Sequence, residues 1–251
     1  MMVGKSSFIF FASIALFFAS TVQAQHEDHM VYVDVYYESL CPDSIKFFTK
    51  QLYPSLQTNL SHFVNLTLLP YGKSDYTTVQ NQLEFTCHHG PFECEGNKIQ
   101  ACALALIEKG QPSEGLGYNR ITVGFINCLM DKVDRQTSNT TFPLKECAEI
   151  NQVTNYVDID NCAHHVDGSK HLSTLGELTK NLKPPLTSVP TIVFNKQYRK
   201  EDSDLAQENF VRALCQYIHH DKPAECSGSS GLKTSFTILV LLVSLAFAKL
   251  F

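Results

Sequence analysis

The sequence predicts an α/β domain carrying a cysteine-rich helical insertion. Three features point there: a β-α-β opening, a long middle stretch with helical periodicity and clustered cysteines, and a closing proline–strand–helix segment.

Residues 31–37, VYVDVYY, alternate β-branched and aromatic side chains and read as a strand. Cys41 and Pro42 follow, and a proline suits the first helical position, where its missing N–H costs nothing. Ile45, Phe48 and Leu52 then recur at helical spacing, and Pro54 ends or kinks that helix. Residues 62–71, HFVNLTLLPY, form the second strand. Cys41 therefore falls at the first strand-to-helix junction.

The middle, about 77–182, reads as helical. Ile99, Cys102, Ala103 and Leu106 share one helix face, Ile121, Phe125, Cys128 and Leu129 another, and Leu172, Leu175 and Leu182 mark a third. These stripes are core packing. QPSEGLGYN is a loop between two helices. Val189-Pro190 introduces TIVFN, a strand, with a faint second strand near 197–200. A final helix over about 205–218 repeats Phe210, Leu214 and Ile218 every fourth residue.

The two ends stand apart from this domain. Residues 1–24 carry Lys5, an apolar run from Phe8 to Ala19 and the small residues Val22 and Ala24, the pattern of a cleaved secretory signal. Residues 227–251 run from small residues through a polar spacer to an apolar terminus. That order fits a GPI-attachment signal with Ser227, Gly228 and Ser229 as candidate attachment positions; a short tail anchor is the alternative. Residues 25–226 remain as one domain of about 200 residues. A membrane is expected only through the C-terminal anchor.

The full chain has a net charge of −5, and Lys5, Lys233 and Lys249 lie in the ends, so the central domain is still more acidic. That balance argues against nucleic-acid binding. Sequons at Asn59, Asn65 and Asn139 predict N-glycans on a secreted chain.

Nine cysteines in an oxidising compartment leave at least one unpaired. Cys41 stands far from the rest and is the candidate free thiol. Cys87, Cys94, Cys102, Cys128, Cys147, Cys162, Cys215 and Cys226 are the disulfide candidates. Cys215 with Cys226 is the expected pair, because a helix and a short proline-containing return bring them together. The Cys/His run CHHGPFECEGNKIQAC lacks the spacing of a zinc finger or ribbon, so no metal is expected.

That same run resembles the signature of the gamma-interferon-inducible lysosomal thiol reductase family, C-Q-H-G-x2-E-C-x2-N-x4-C. Cys87, His89, Gly90, Glu93, Cys94, Asn97 and Cys102 match in register, with His88 in place of the family's glutamine. The likeness extends over about residues 30–226, and the layout resembles a thioredoxin-like fold, which places a cis-proline at Val189-Pro190. The resemblance implies reduction of protein disulfides in an acidic endosomal or lysosomal compartment. The partners it implies are disulfide-bonded proteins, with no bound cofactor and a small thiol as reductant. The signature itself is expected to be structural. The family's active Cys-x-x-C maps onto Cys41 and, with a departure, onto Ser44.

The chemistry of such a position follows from elementary considerations. Only a thiolate attacks a disulfide, and an ordinary thiol of pKa ~8.5 is roughly 0.03% ionised at pH 5. A helix N-terminus favours the anion through its free N–H groups. The thiol must also be exposed, which Pro42-Asp43 at a helix start permits. A serine cannot resolve a mixed disulfide, but its hydroxyl can hydrogen-bond the Cys41 sulfur. A monothiol cycle completed by a small thiol is therefore expected; the alternative is a glycosylated, membrane-tethered binding or thiol-trapping protein. Localisation divides the same way, between secreted or lysosomal and cell-surface GPI-anchored.

Overall fold

The computed structural model describes residues 30–111, 113–135 and 140–227. Strand β1 (Val31–Tyr37) runs parallel to β2 (Val64–Pro70) in the register Val31↔Val64 to Tyr37↔Pro70. On its other edge β1 pairs antiparallel with β5 (Thr191–Phe194), giving the order β2-β1-β5. The central strand is buried along nearly its whole length, as VYVDVYY requires for a strand covered on both faces.

Between β1 and β2 lies one continuous helical segment. It begins as α1 (Pro42–Phe47), widens to a π turn over Phe48–Leu52 and closes as α2 (Tyr53–Leu56). The helix passes Pro54 instead of ending before it. Pro54 follows the wide π turn directly, and that local widening lets a continuous helix pass a residue that has no N–H. Phe47 and Phe48 are fully buried, and Phe47 meets Phe210 edge-on at a centroid distance of 5.8 Å. Each such ring contributes about 1.5–3 kcal/mol through burial.

The insertion departs from the expectation of a wholly helical 77–182. It opens with a hairpin, β3 (Asp75–Val79) and β4 (Gln82–Thr86), turned at Gln80-Asn81, both of which have positive φ. Tyr76 pairs across the ladder with Phe85, their rings 5.4 Å apart. The helices follow: α3 (Pro91–Gly110), α4 (Arg120–Lys132), α5 (Leu144–Asn151), α6 (Tyr156–His164) and α7 (Val166–Lys180). Ile99, Cys102 and Ala103 of α3 and Phe125 and Leu129 of α4 are buried in the main core, as their spacing predicts.

Two further corrections fall near the C-terminus. The expected helix 205–218 is two helices, α8 (Lys200–Glu208) and α9 (Phe210–Cys215), broken at Asn209. Asn209 leaves helical geometry and accepts the Arg212 N–H through its side chain, so it starts the second helix as its cap. No strand forms at 197–200; a tight turn through Asn195 and Lys196 makes one bridge from Phe194 to Gln197, and α8 begins at once. Among the described residues no helix is long and apolar enough to cross a membrane. The fold is thioredoxin-like, with the helical insertion between β2 and β5.

Candidate active site

Cys41 is the N-cap of α1 and the free cysteine among the described residues. Its Sγ lies 3.7 Å from the carbonyl oxygen of Val189. The Val189-Pro190 bond is cis, as is Lys183-Pro184. The Val189 carbonyl thus lies against the thiol, and Thr191 Oγ1 braces the residues before Pro190 by donating to the Ser188 carbonyl at 2.8 Å. Cys41 is only 7% exposed. The expectation of an open thiol is corrected: Cys41 is buried, with the carbonyl of Val189, 148 residues on, lying against its sulfur.

Ser44, one turn along, is fully buried. Its Oγ accepts the backbone N–H of Glu38 at 3.4 Å. That contact uses a lone pair of the hydroxyl, whose own hydrogen remains a donor. Ser44 ties the loop to the helix, because a buried N–H at the strand end needs an acceptor.

The signature residues hold that loop from the other side. Gly90, at φ 88°, caps α3 in a conformation that only glycine adopts freely. From α3, Asn97 Oδ1 accepts the Ser39 N–H at 2.9 Å, and the Glu93 carbonyl accepts from Ser39 Oγ at 3.2 Å. Gln100 accepts from the Tyr37 hydroxyl at 2.7 Å. Gly96 permits this approach, since a Cβ there would come within 2.5 Å of Ser39 Oγ. Residues 37–39 are thus fastened to the insertion immediately before the cysteine.

Glu38 adds a charged group that sequence reasoning missed. Its carboxylate is wholly buried. Oε1 accepts the Lys73 N–H at 2.7 Å, while Oε2 lies 3.3 Å from Nδ1 of both His88 and His89. His89 Nδ1 is also 2.6 Å from Glu93 Oε2, and the His89 N–H donates to Glu93 Oε1 at 3.0 Å. Burial pushes the Glu93 carboxyl above the usual carboxylate range; the His89 N–H opposes this and the nearby Glu38 charge adds to it. Lys73 Nζ lies 3.3 Å from His88 Nε2, and an ammonium only donates. The His88 hydrogen therefore belongs on Nδ1, aimed at Glu38, an assignment made from the hydrogen-bond network.

All eight remaining cysteines are paired: Cys87–Cys94, Cys102–Cys162, Cys128–Cys147 and Cys215–Cys226. Cys87 and Cys94 bracket the loop that presents His88 and His89. Asn59 is exposed, whereas Asn65 is half-buried in β2; Asn139 lies outside the described residues. Ser227 is exposed at the end of the described chain, and Gly228 and Ser229, like the leader 1–24, lie outside it.

A thioredoxin-like scaffold with one thiol at a helix start, facing a cis-proline loop, is the architecture of thiol–disulfide oxidoreductases. The match to a family model described as gamma interferon inducible lysosomal thiol reductase (GILT) spans residues 32–165. The chain belongs to that family of thiol reductases. GILT-like protein 1 of Drosophila melanogaster is 41% identical over 223 residues, covering 89% of each chain. The gamma-interferon-inducible lysosomal thiol reductase-like protein of Anopheles gambiae is 38% identical over 84% of this chain and 89% of its own. The mouse gamma-interferon-inducible lysosomal thiol reductase is 30% identical over 78% of this chain and 72% of its own. A fainter likeness is to oxidised BdbD from Bacillus subtilis, at TM-score 0.48 and 16% identity over 77% of this chain and 95% of that one.

Proposed function

We propose that this chain reduces protein disulfides through a mixed disulfide on Cys41, in acid, by a monothiol cycle. The observation that carries the reading is the single unpaired thiol at the start of α1, held against the carbonyl of Val189 beside a cis-proline. In this cycle the Cys41 thiolate attacks one sulfur of a client disulfide. A Cys41–client disulfide forms, and the other client sulfur leaves as a thiolate and takes a proton. A small thiol then attacks the Cys41 sulfur, releasing the second client thiol and leaving a Cys41–small-thiol disulfide. A second small thiol restores Cys41. In sum, one client disulfide is reduced while two small thiols are oxidised to their disulfide. The backbone at Val189 and Pro190 would receive the extended client strand, and Ser44 would modulate the site by holding the loop.

A second reading keeps the fold but not the turnover: a glycosylated, membrane-tethered binding or thiol-trapping protein. The 7% exposure of Cys41 and the hydroxyl at Ser44 favour it. One experiment separates the two. The mature protein is incubated at about pH 5 with a disulfide-bonded protein, with and without a small thiol, and both turnover and trapped adducts are scored. Turnover that needs the small thiol supports the first reading, and long-lived adducts without turnover support the second. Neither adduct nor turnover removes both thiol chemistries, and turnover surviving Cys41→Ala refutes the site. For location, we propose a secreted or lysosomal protein with a GPI-anchored surface form. Release from intact cells by a GPI-specific phospholipase tests the anchor.

A further inference from the structure

Glu38, His88 and His89 meet at one point although they come from two separate segments, the end of β1 and the loop between β4 and α3. One oxygen of Glu38 is held by backbone, leaving the other aimed at two imidazole nitrogens, each 3.3 Å away. That spacing is the edge of a tetrahedron with metal–ligand bonds of about 2.0 Å, as zinc forms with nitrogen and oxygen. The rings sit side by side with centroids 4.4 Å apart. Beside them lies a second wholly buried carboxylate, Glu93. The partners of these two carboxylates are backbone N–H groups and imidazoles, so the cluster concentrates negative charge that a cation would neutralise.

We propose that Glu38 Oε2, His88 Nδ1 and His89 Nδ1 form a binding site for a divalent transition metal of the zinc class. Imidazole and carboxylate together suit zinc. The site is preorganised: the Cys87–Cys94 bridge closes the histidine loop, and Gly72 brings the Lys73 backbone against Glu38, where a Cβ would collide at 2.3 Å. The cysteines beside it are oxidised and offer no thiolate, so the site differs from the cysteine-based one that the spacing excluded. With neutral histidines Glu93 bonds His89; on metal binding each ring takes the tautomer with its hydrogen on Nε2 and Nδ1 free to ligate, and the exposed Lys73 ammonium turns away from His88 Nε2. The fourth position stays open for water or for Glu93. His88, where the related signature carries glutamine, supplies a ligand of this chain's own. The inference does not rest on Cys41 being catalytic.

The test uses the mature protein carrying Cys41→Ser, stripped with a chelator and titrated with Zn²⁺ at neutral pH by calorimetry, with Co²⁺ absorption reporting geometry. The expected result is one ion per chain with a dissociation constant on the order of micromolar or tighter. His88→Gln should weaken it by about tenfold or more, and His89→Gln similarly. Because His88 is solvent-facing, its variant carries the test even where His89→Gln fails to fold. No uptake of Zn²⁺, or uptake unchanged in His88→Gln, overturns the proposal; the latter would mean adventitious ligation by other histidines.

Discussion

The side-chain oxygen of Asn97 accepts the backbone N–H of Ser39 at 2.9 Å, joining residues 58 apart in the chain. Both are fully buried, and Ser39 is two residues from the thiol. A signature residue with no chemistry of its own therefore positions the loop that presents Cys41.

Removing that acceptor should be felt in stability and in thiol placement. Asn97→Ala leaves a buried N–H unsatisfied and is expected to cost about 1–3 kcal/mol, read from urea midpoints. Alkylation of Cys41 should accelerate in the variant as the loop loosens. Asn97→Asp, which keeps an acceptor oxygen, should recover the slow alkylation; a purely structural loss would not separate the two variants this way.

Ser44 lies on the same helix one turn after Cys41, the position from which a second thiol would attack a mixed disulfide. Ser44→Cys is expected to shorten adduct lifetime and raise turnover at limiting small thiol by on the order of tenfold or more, because the resolving step becomes intramolecular. Equal adduct lifetimes in the two proteins would count against a missing resolving thiol.

The disulfides should not contribute equally. Cys102–Cys162 spans 60 residues and links α3 to α6, whereas Cys215–Cys226 spans 11. Chain-entropy arithmetic assigns about 4 kcal/mol to the longer loop and about 3 kcal/mol to the shorter. Paired Cys→Ala variants, compared by melting temperature, should show the greater loss for Cys102 and Cys162.

Alkaline pH should weaken the packing of α8 against the turn that follows α9. Burial, helped by the hydrogen bond to the Asp202 carboxylate, pushes the Tyr217 hydroxyl up to about 12. Tyr217 also stacks on Phe194 with centroids 4.8 Å apart. In the unfolded chain a tyrosine ionises near pH 10, so between about pH 10 and 12 the folded state holds a proton that the unfolded state has lost. The contribution is complete below pH ~10 and disappears as pH rises through the folded value. Denaturation midpoints across that window should fall more steeply for the native protein than for Tyr217→Phe.

Much of the architecture was legible along the chain because it depends on local pattern. The alternation of VYVDVYY, the proline after Cys41 and the apolar spacing of α3 and α4 each follow from backbone geometry and burial of one face. The hairpin at 75–86 was not legible as such. Most of its residues are exposed, so no apolar alternation announces it, and its turn at Gln80-Asn81 lacks glycine. The break at Asn209 was hidden by Phe210, Leu214 and Ile218, which keep helical spacing past the end of α9.

Cysteine number and placement in an oxidising context already singled out Cys41 as the odd thiol and marked the helix start as its seat. How far that thiol is open to solvent, and what its neighbours do, came from elsewhere in the chain: a carbonyl 148 residues away lies against the sulfur, and Glu38 finds histidines 50 residues on. Periodicity and spacing report only which face of an element is buried. Which elements then close over one another depends on packing and on satisfying every buried polar group at once, and those conditions exist only in the assembled fold.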